Sequence, residues 1–246
     1  MFADRSKTLV TLLLDRSYSM NLIKKSTLSG LNQWLAELRR SKDALRFSLV
    51  QFDSHGGPTP AAQSAHAPAG AVPAGQALGG PLPGFRSEME LLRTHVATPI
   101  AEVPDMTDAD FLPRGGTPLI DAAVTTIHAI EESLEGRTDV KVVLAIQTDG
   151  QENTSKSHSW ADLKALVAEK EAIGWEILFM GAGIDAYDQG AKMGIAREKT
   201  ISYGTDMAQT VSAFRDTGSK TVLYSSGTAA SMAYTSEEKL RAGDAG

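Results

Sequence analysis

Six short runs with the character of β-strands alternate with helical stripes along almost the whole chain. That alternation restricts the fold more than any other feature of the sequence. The runs are Thr8 to Leu14, Phe47 to Phe52, Glu88 to Val96, Val140 to Ile146, Trp175 to Met180 and Thr200 to Tyr203. The first and fourth are almost wholly apolar, as strands buried on both faces of a sheet must be. Leu28, Leu31, Leu35 and Leu38 step by three and four, which predicts a helix from about Asn21 to Arg40. Ile120, Val124, Ile127, Ile130 and Leu134 do the same for a helix that opens at Pro118. Further helices are expected over Ser159 to Ile173, over about Asp185 to Met193, and from about Met207, with Gly218 as a candidate break. A last short one starts at Thr235, where Thr235 and Glu238 have the spacing of a capping box. This order predicts an α/β fold. Its sheet is doubly wound and mostly parallel, with helices on both faces and the third run as one antiparallel edge strand. In such a sheet, ligands bind at the carboxyl edge, where the strand order reverses.

The stretch from Ser54 to Phe85 breaks the pattern. It has no charged residue and holds Ala, Gly and Pro in place of any strand or helix period. It reads as a flexible insertion, 54–85, within a single domain spanning 1–235, and 236–246 reads as a C-terminal tail. The 246 residues are enough for one large domain. A net charge of −6 argues against general nucleic-acid binding, and the absence of cysteine excludes a disulfide frame and a zinc–thiolate site. The first apolar run is far too short to span a membrane. A soluble, cytoplasmic protein is expected, with neither nucleic acid nor membrane as partner.

Three polar segments follow apolar runs or open a helix. The first is Asp15-Arg16-Ser17-Tyr18-Ser19, the second Arg114-Gly115-Gly116-Thr117-Pro118, the third Gln147-Thr148-Asp149-Gly150. Carboxylates and hydroxyls are hard oxygen ligands of the kind that Mg²⁺ or Mn²⁺ takes. Each segment also has an ordinary reading. Ser19 or Asn21 would cap a helix, Thr117 would be the N-cap with Pro118 as first helical residue, and Asp149-Gly150 would be a turn.

Taken together and in order, the three segments resemble the von Willebrand factor type A domain, over about Lys7 to Thr205 apart from the insertion. In that family these loops build a metal-ion-dependent adhesion site. The resemblance implies that Ser17, Ser19 and Thr117 touch the ion through hydroxyls. Asp15 and Asp149 would act directly or through water. It also implies Mg²⁺ or Mn²⁺ as cofactor and a non-enzymatic role, the capture of an Asp or Glu presented by an unidentified partner protein. Tyr18 stands where the family commonly has Gly. Arg16, Tyr18 and the loop from Gln151 to His158 are expected to ring the open position of the ion, with Arg16 and Lys156 screening the incoming carboxylate and Tyr18 packing on its stem.

Two rival readings come from other segments. Gly181-Ala182-Gly183-Ile184-Asp185-Ala186 matches the glycine pattern of a nucleotide- or dinucleotide-binding turn, with Asp206 at a suitable distance beyond. A hydrolase has less support. No Gly-x-Ser-x-Gly elbow occurs, and the histidines, at 55, 66, 95, 128 and 158, are scattered.

Overall fold

The computed structural model describes residues 8–58 and 85–244. Its centre is one sheet of six strands: β1 (Thr8–Asp15), β2 (Leu45–Pro58), β3 (Phe85–Pro99), β4 (Lys141–Thr148), β5 (Glu176–Ala182) and β6 (Thr200–Tyr203). Their order is β3-β2-β1-β4-β5-β6. All neighbours run parallel except β2 and β3, which form an antiparallel pair at one edge. The architecture is thus the doubly wound α/β sheet that the alternation predicts. Strand order reverses between β1 and β4, so their carboxyl ends flank the crevice that a parallel sheet of this kind leaves open.

Among the described residues, six α-helices accompany the sheet: α1 (Lys24–Arg39), α2 (Leu119–Leu134), α3 (Trp160–Ala172), α4 (Ala186–Met193), α5 (Met207–Ser225) and α6 (Ser236–Arg241). The pleat of β1 sends Val10, Leu12 and Leu14 to one face, where they meet α1 and α5 through Leu31, Trp34, Leu35 and Phe214. Leu9 and Leu13 point to the other face and meet α2, α3 and α4 through Ile127, Val167 and Met193. Both faces are covered, which is why β1 is buried at every position.

Several local expectations are corrected. The first helix does not begin at Asn21. A tight 3-10 turn, Tyr18–Leu22, precedes α1, and the Asn21 amide braces it by donating to the Tyr18 and Pro113 carbonyls. The edge strand runs past the expected Val96 to Pro99 and gives way to a 3-10 turn, Ile100–Glu102. Gly218 does not break α5. A Cβ there would lie 2.7 Å from Trp34 Cδ1, so this glycine lets α1 and α5 approach closely. Strand pairing reaches into both ends of the expected insertion, as far as Pro58 opposite Phe85; the remainder, 59–84, lies outside the described residues. Past residue 235 the chain forms the capping-boxed helix α6, then buries Ala242 in the core. Among the described residues, no helix is long and apolar enough to cross a membrane.

Candidate metal centre

β1 and β4 lie side by side, and each ends in an acidic loop at the reversal of strand order. Asp15 is the last residue of β1 and is fully buried. One of its oxygens accepts the Ser17 N–H at 2.6 Å, and the other accepts the Thr148 hydroxyl at 2.5 Å. The Ser17 and Ser19 hydroxyls are 3.2 Å apart, and Ser19 donates to the Asp149 carboxylate at 2.7 Å. Four of the five expected ligands, Asp15, Ser17, Ser19 and Asp149, therefore sit in one hydrogen-bonded cluster.

The fifth, Thr117, arrives from the loop before α2. A Cβ on Gly150 would be 3.4 Å from Thr117 Oγ1 and 3.7 Å from Ser19 Oγ. Both hydroxyls thus border the space that Gly150 leaves open. Thr117 is not the N-cap of α2, and Pro118 is not its first residue. The helix begins at Leu119, and Pro118 occupies the cap position without a side-chain bond. The exposed N–H groups of the helix start are served from the loop after β4 instead. Ile120 N–H donates to Glu152 at 2.8 Å and Asp121 N–H to the Ser155 hydroxyl at 3.1 Å. Asp121 in turn accepts the backbone N–H groups of Lys156 and His158. Asn153 accepts the Thr117 N–H at 2.9 Å. Released from capping, the Thr117 side chain is available to the cluster.

The electrostatics of the cluster are one-sided. Burial pushes the Asp15 carboxyl up to about 7, against the hydrogen bonds from Thr148 and Ser17, and Asp149 adds to the rise. Burial also raises Asp149, opposed by its bond from Ser19. Among the described residues, no Lys, Arg or His side chain forms an ion pair with either carboxylate. Nowhere among the described residues, this cluster included, do three His, Cys, Asp or Glu side chains gather, so the donor set here is two carboxylates with hydroxyls. Two desolvated carboxylates short of positive charge, beside three hydroxyls, make a hard-oxygen donor set that fits Mg²⁺ or Mn²⁺.

Arg16 is a correction to the expected rim. Its side chain is buried, with only 5% of the residue exposed, and its Nε donates to Asp53 at 2.7 Å. A guanidinium fixed there cannot ring the open face. Tyr18 is 73% exposed and Gln151 is exposed, so both stand free beside the cluster. Thr148, Gly150 and Asn153 also shape the cluster, beyond the five residues expected there. The first two stand on either side of Asp149, so the signal was present in the same segment. Asn153 carried none.

Because Gly150 keeps a space open between hydroxyls, Gly150→Val is expected to leave the fold intact. Its methyl groups should weaken Mn²⁺ binding by roughly tenfold or more, the scale at which disturbing the surroundings of a metal is felt. Mn²⁺ paramagnetic resonance on the wild type and the variant checks this, and equal affinities would contradict it.

The rival glycine turn is arranged differently. The Gly183 N–H donates to the Tyr203 carbonyl at 2.8 Å, and the Ala186 N–H to the Ile184 carbonyl at 2.9 Å. The Asp185 carboxylate caps α4 by accepting the Asp188 N–H. A phosphate approaching that helix would meet a carboxylate and few free N–H groups. Asp206 likewise caps α5.

No protein-family model matches the sequence, and no curated protein matches it. Solved structures do. The pilus adhesin SpaC from Lactobacillus rhamnosus GG, in its open conformation, superposes with a TM-score of 0.54 at 15% identity, over 89% of this chain and 30% of that one. Proximal thread matrix protein 1 from the mussel byssus gives 0.53 at 12% identity, over 88% and 46%. A von Willebrand factor type A structure from Catenulispora acidiphila gives 0.50 at 15% identity, over 88% and 43%.

The chain has the von Willebrand factor type A fold.

The likeness covers nearly nine tenths of this VWA-fold chain, and the chain spans less than half the length of each of these three structures.

Proposed function

We propose that this VWA-fold domain binds one Mg²⁺ or Mn²⁺ ion at the carboxyl edge of β1 and β4, and that the ion captures an Asp or Glu carboxylate from a partner protein. The observation that carries the reading is the cluster itself. Residues from three separate loops, Asp15, Ser17, Ser19, Thr117 and Asp149, converge where strand order reverses, and among the described residues no side-chain cation neutralises the two acids. A bound ion would supply a hard electrophilic position open to a carboxylate. The chain's own residues do the rest. Ser17, Ser19 and Thr117 offer neutral oxygens, so the ion keeps its appetite for an anionic ligand. Asp15 and Asp149 balance its charge and orient the hydroxyls. Tyr18 and Gln151 stand at the rim and meet the incoming segment.

The role is one of binding and not of catalysis, with a protein as partner. A pilus adhesin and a thread matrix protein are among the proteins of this fold, which is in keeping with it. The nucleotide alternative is weaker, because the backbone N–H groups at Gly183 and Ala186 are already engaged.

The test is a pull-down with Mg²⁺ and with EDTA, followed by identification of what elutes. Partner binding is expected to need the ion and to vanish when one acidic residue of the partner is neutralised. Ser17→Ala combined with Ser19→Ala is expected to lose both the ion and the partner while the domain stays folded, since both residues lie in the turn between β1 and α1. A partner held equally well in EDTA, or by the double variant, would move the binding surface elsewhere.

A further inference from the structure

Beside the cluster lies a second group of charges that the cation reading leaves unexplained. Asp53 of β2 and Glu90 of β3 face each other on one rung of the antiparallel pair. The Asp53 carboxylate is fully buried, and its Oδ2 accepts from Arg16 Nε at 2.7 Å and from Arg114 Nε at 3.0 Å. Glu90 takes the other ends of the same two guanidinium groups, Arg16 at 3.3 Å and Arg114 through a short bond. Arg16 sits between Asp15 and Ser17, whereas Arg114 lies three residues before Thr117. The rung therefore grips the first and the second ligand loops at once.

We propose that Asp53, Glu90, Arg16 and Arg114 form a clamp that sets Thr117 in register with Ser17 and Ser19, with Arg114 and Asp53 acting as positioning residues for the cation site. The inference rests on the cation reading above. Its physical basis is that the glycines of the second loop carry no side chains to fix it, so its anchors lie in its neighbours. Gly115 and Gly116 precede Thr117, and glycine loses more freedom on ordering than any other residue. Gly115 adopts a φ of +64°, and a Cβ there would collide with the Ser54 carbonyl, so glycine is required. Arg114 is the last residue before this pair with a side chain that can anchor it.

Main-chain bonds complete the grip. Arg114 N–H donates to the Arg16 carbonyl at 2.8 Å, Tyr18 N–H to the Gly115 carbonyl at 3.1 Å, and Gly116 exchanges bonds with Ser54. A planar fork is suited to the task, because one guanidinium reaches two carboxylates in fixed geometry, which an ammonium does not. The four charges also cancel, so the clamp positions the loops without adding a net field that would repel a cation. A buried carboxylate is costly unless paired, and two arginines pair Asp53 through Oδ2, while Oδ1 has no hydrogen-bond partner among the described residues.

The experiment measures Mn²⁺ affinity and water-proton relaxation for wild type, Arg114→Met, Thr117→Val and the double variant, with urea unfolding in EDTA as a control. Arg114→Met is expected to weaken Mn²⁺ about tenfold, the scale for groups that orient metal ligands. Its bound Mn²⁺ should show the same raised relaxivity as Thr117→Val, because water takes the place of the lost hydroxyl. In the Thr117→Val background, Arg114→Met should have no further effect on affinity. Glu90→Gln, at a half-exposed position, should give the same trend in smaller measure if Arg114→Met fails to fold. Additive losses in the double variant, or unchanged affinity in Arg114→Met or in a folded Glu90→Gln, would overturn the clamp. Failure of the wild type to bind Mn²⁺ would overturn the cation site itself and the clamp's role with it.

Discussion

Asp15→Asn is expected to weaken Mg²⁺ and Mn²⁺ binding severely while leaving the domain folded. Asp15 is held between two donors, the Ser17 N–H and the Thr148 hydroxyl. Asparagine can keep its oxygen toward Ser17. Its amide can donate to Thr148, whose hydroxyl rotates to accept. Neither buried group is then stranded, so the stability penalty of about 1–3 kcal/mol for an unpaired buried donor is avoided. What is lost is the negative charge. Burial alone already opposes that charge, so its presence at β1 makes sense where a cation lies nearby. Affinity should fall by about 100-fold or more, the upper end of the effect for groups that merely orient ligands. Calorimetric titration on the wild type and the variant decides it. Equal affinities would remove Asp15 from the site, whereas a variant that unfolds would show that the pair with Thr148 is chiefly structural.

The largest expected loss of stability is at Trp34→Ala. Trp34 is fully buried where α1, α5 and the sheet meet, with its ring 6.3 Å from Phe47 and 6.1 Å from Phe214. It also fills the gap left by Gly218 across the helix crossing. Replacing an interior tryptophan by alanine costs about 3–5 kcal/mol, through lost burial and the cavity left behind. In a chain of this size that lowers the melting temperature by on the order of 10 °C. Trp34→Phe should be far milder. The indole N–H has no hydrogen-bond partner among the described residues, so phenylalanine removes an unsatisfied donor along with some volume. Thermal unfolding of both variants checks the contrast; equal losses would mean that the indole shape, and not the buried area, is what the crossing needs.

Much of this was legible in the sequence, for physical reasons that differ by element. β1 and β4 declare themselves because strands buried on both faces must be apolar throughout. The five cluster residues are legible as a group because they lie in segments that follow an apolar strand or precede a helix, and topology then brings such segments together. Arg16 was misjudged because sequence adjacency to Asp15 and Ser17 says nothing about which way a side chain leaves the turn. Its direction is set by Asp53, 37 residues away. Thr117-Pro118 has the form of a helix start, yet Glu152 and Ser155 from the loop after β4 serve the N–H groups there. The outer parts of β2 and β3 were hidden for a simpler reason. A main-chain ladder such as Gly57 opposite Arg86 needs no side-chain period at all.

That outer ladder has a structural consequence. β1 stops pairing with β2 at Phe52, whereas β2 and β3 run on together to Pro58 and Phe85. From Asp53 outward this is a ribbon of two strands, about 20 Å long at 3.3 Å per residue, and two strands alone have little stability of their own. It is rooted where Ser54 bridges Gly116 and where Asp53 and Glu90 hold the two arginines. The rung that seats the ribbon is therefore the same rung that, through Arg16 and Arg114, seats the two hydroxyl-bearing loops.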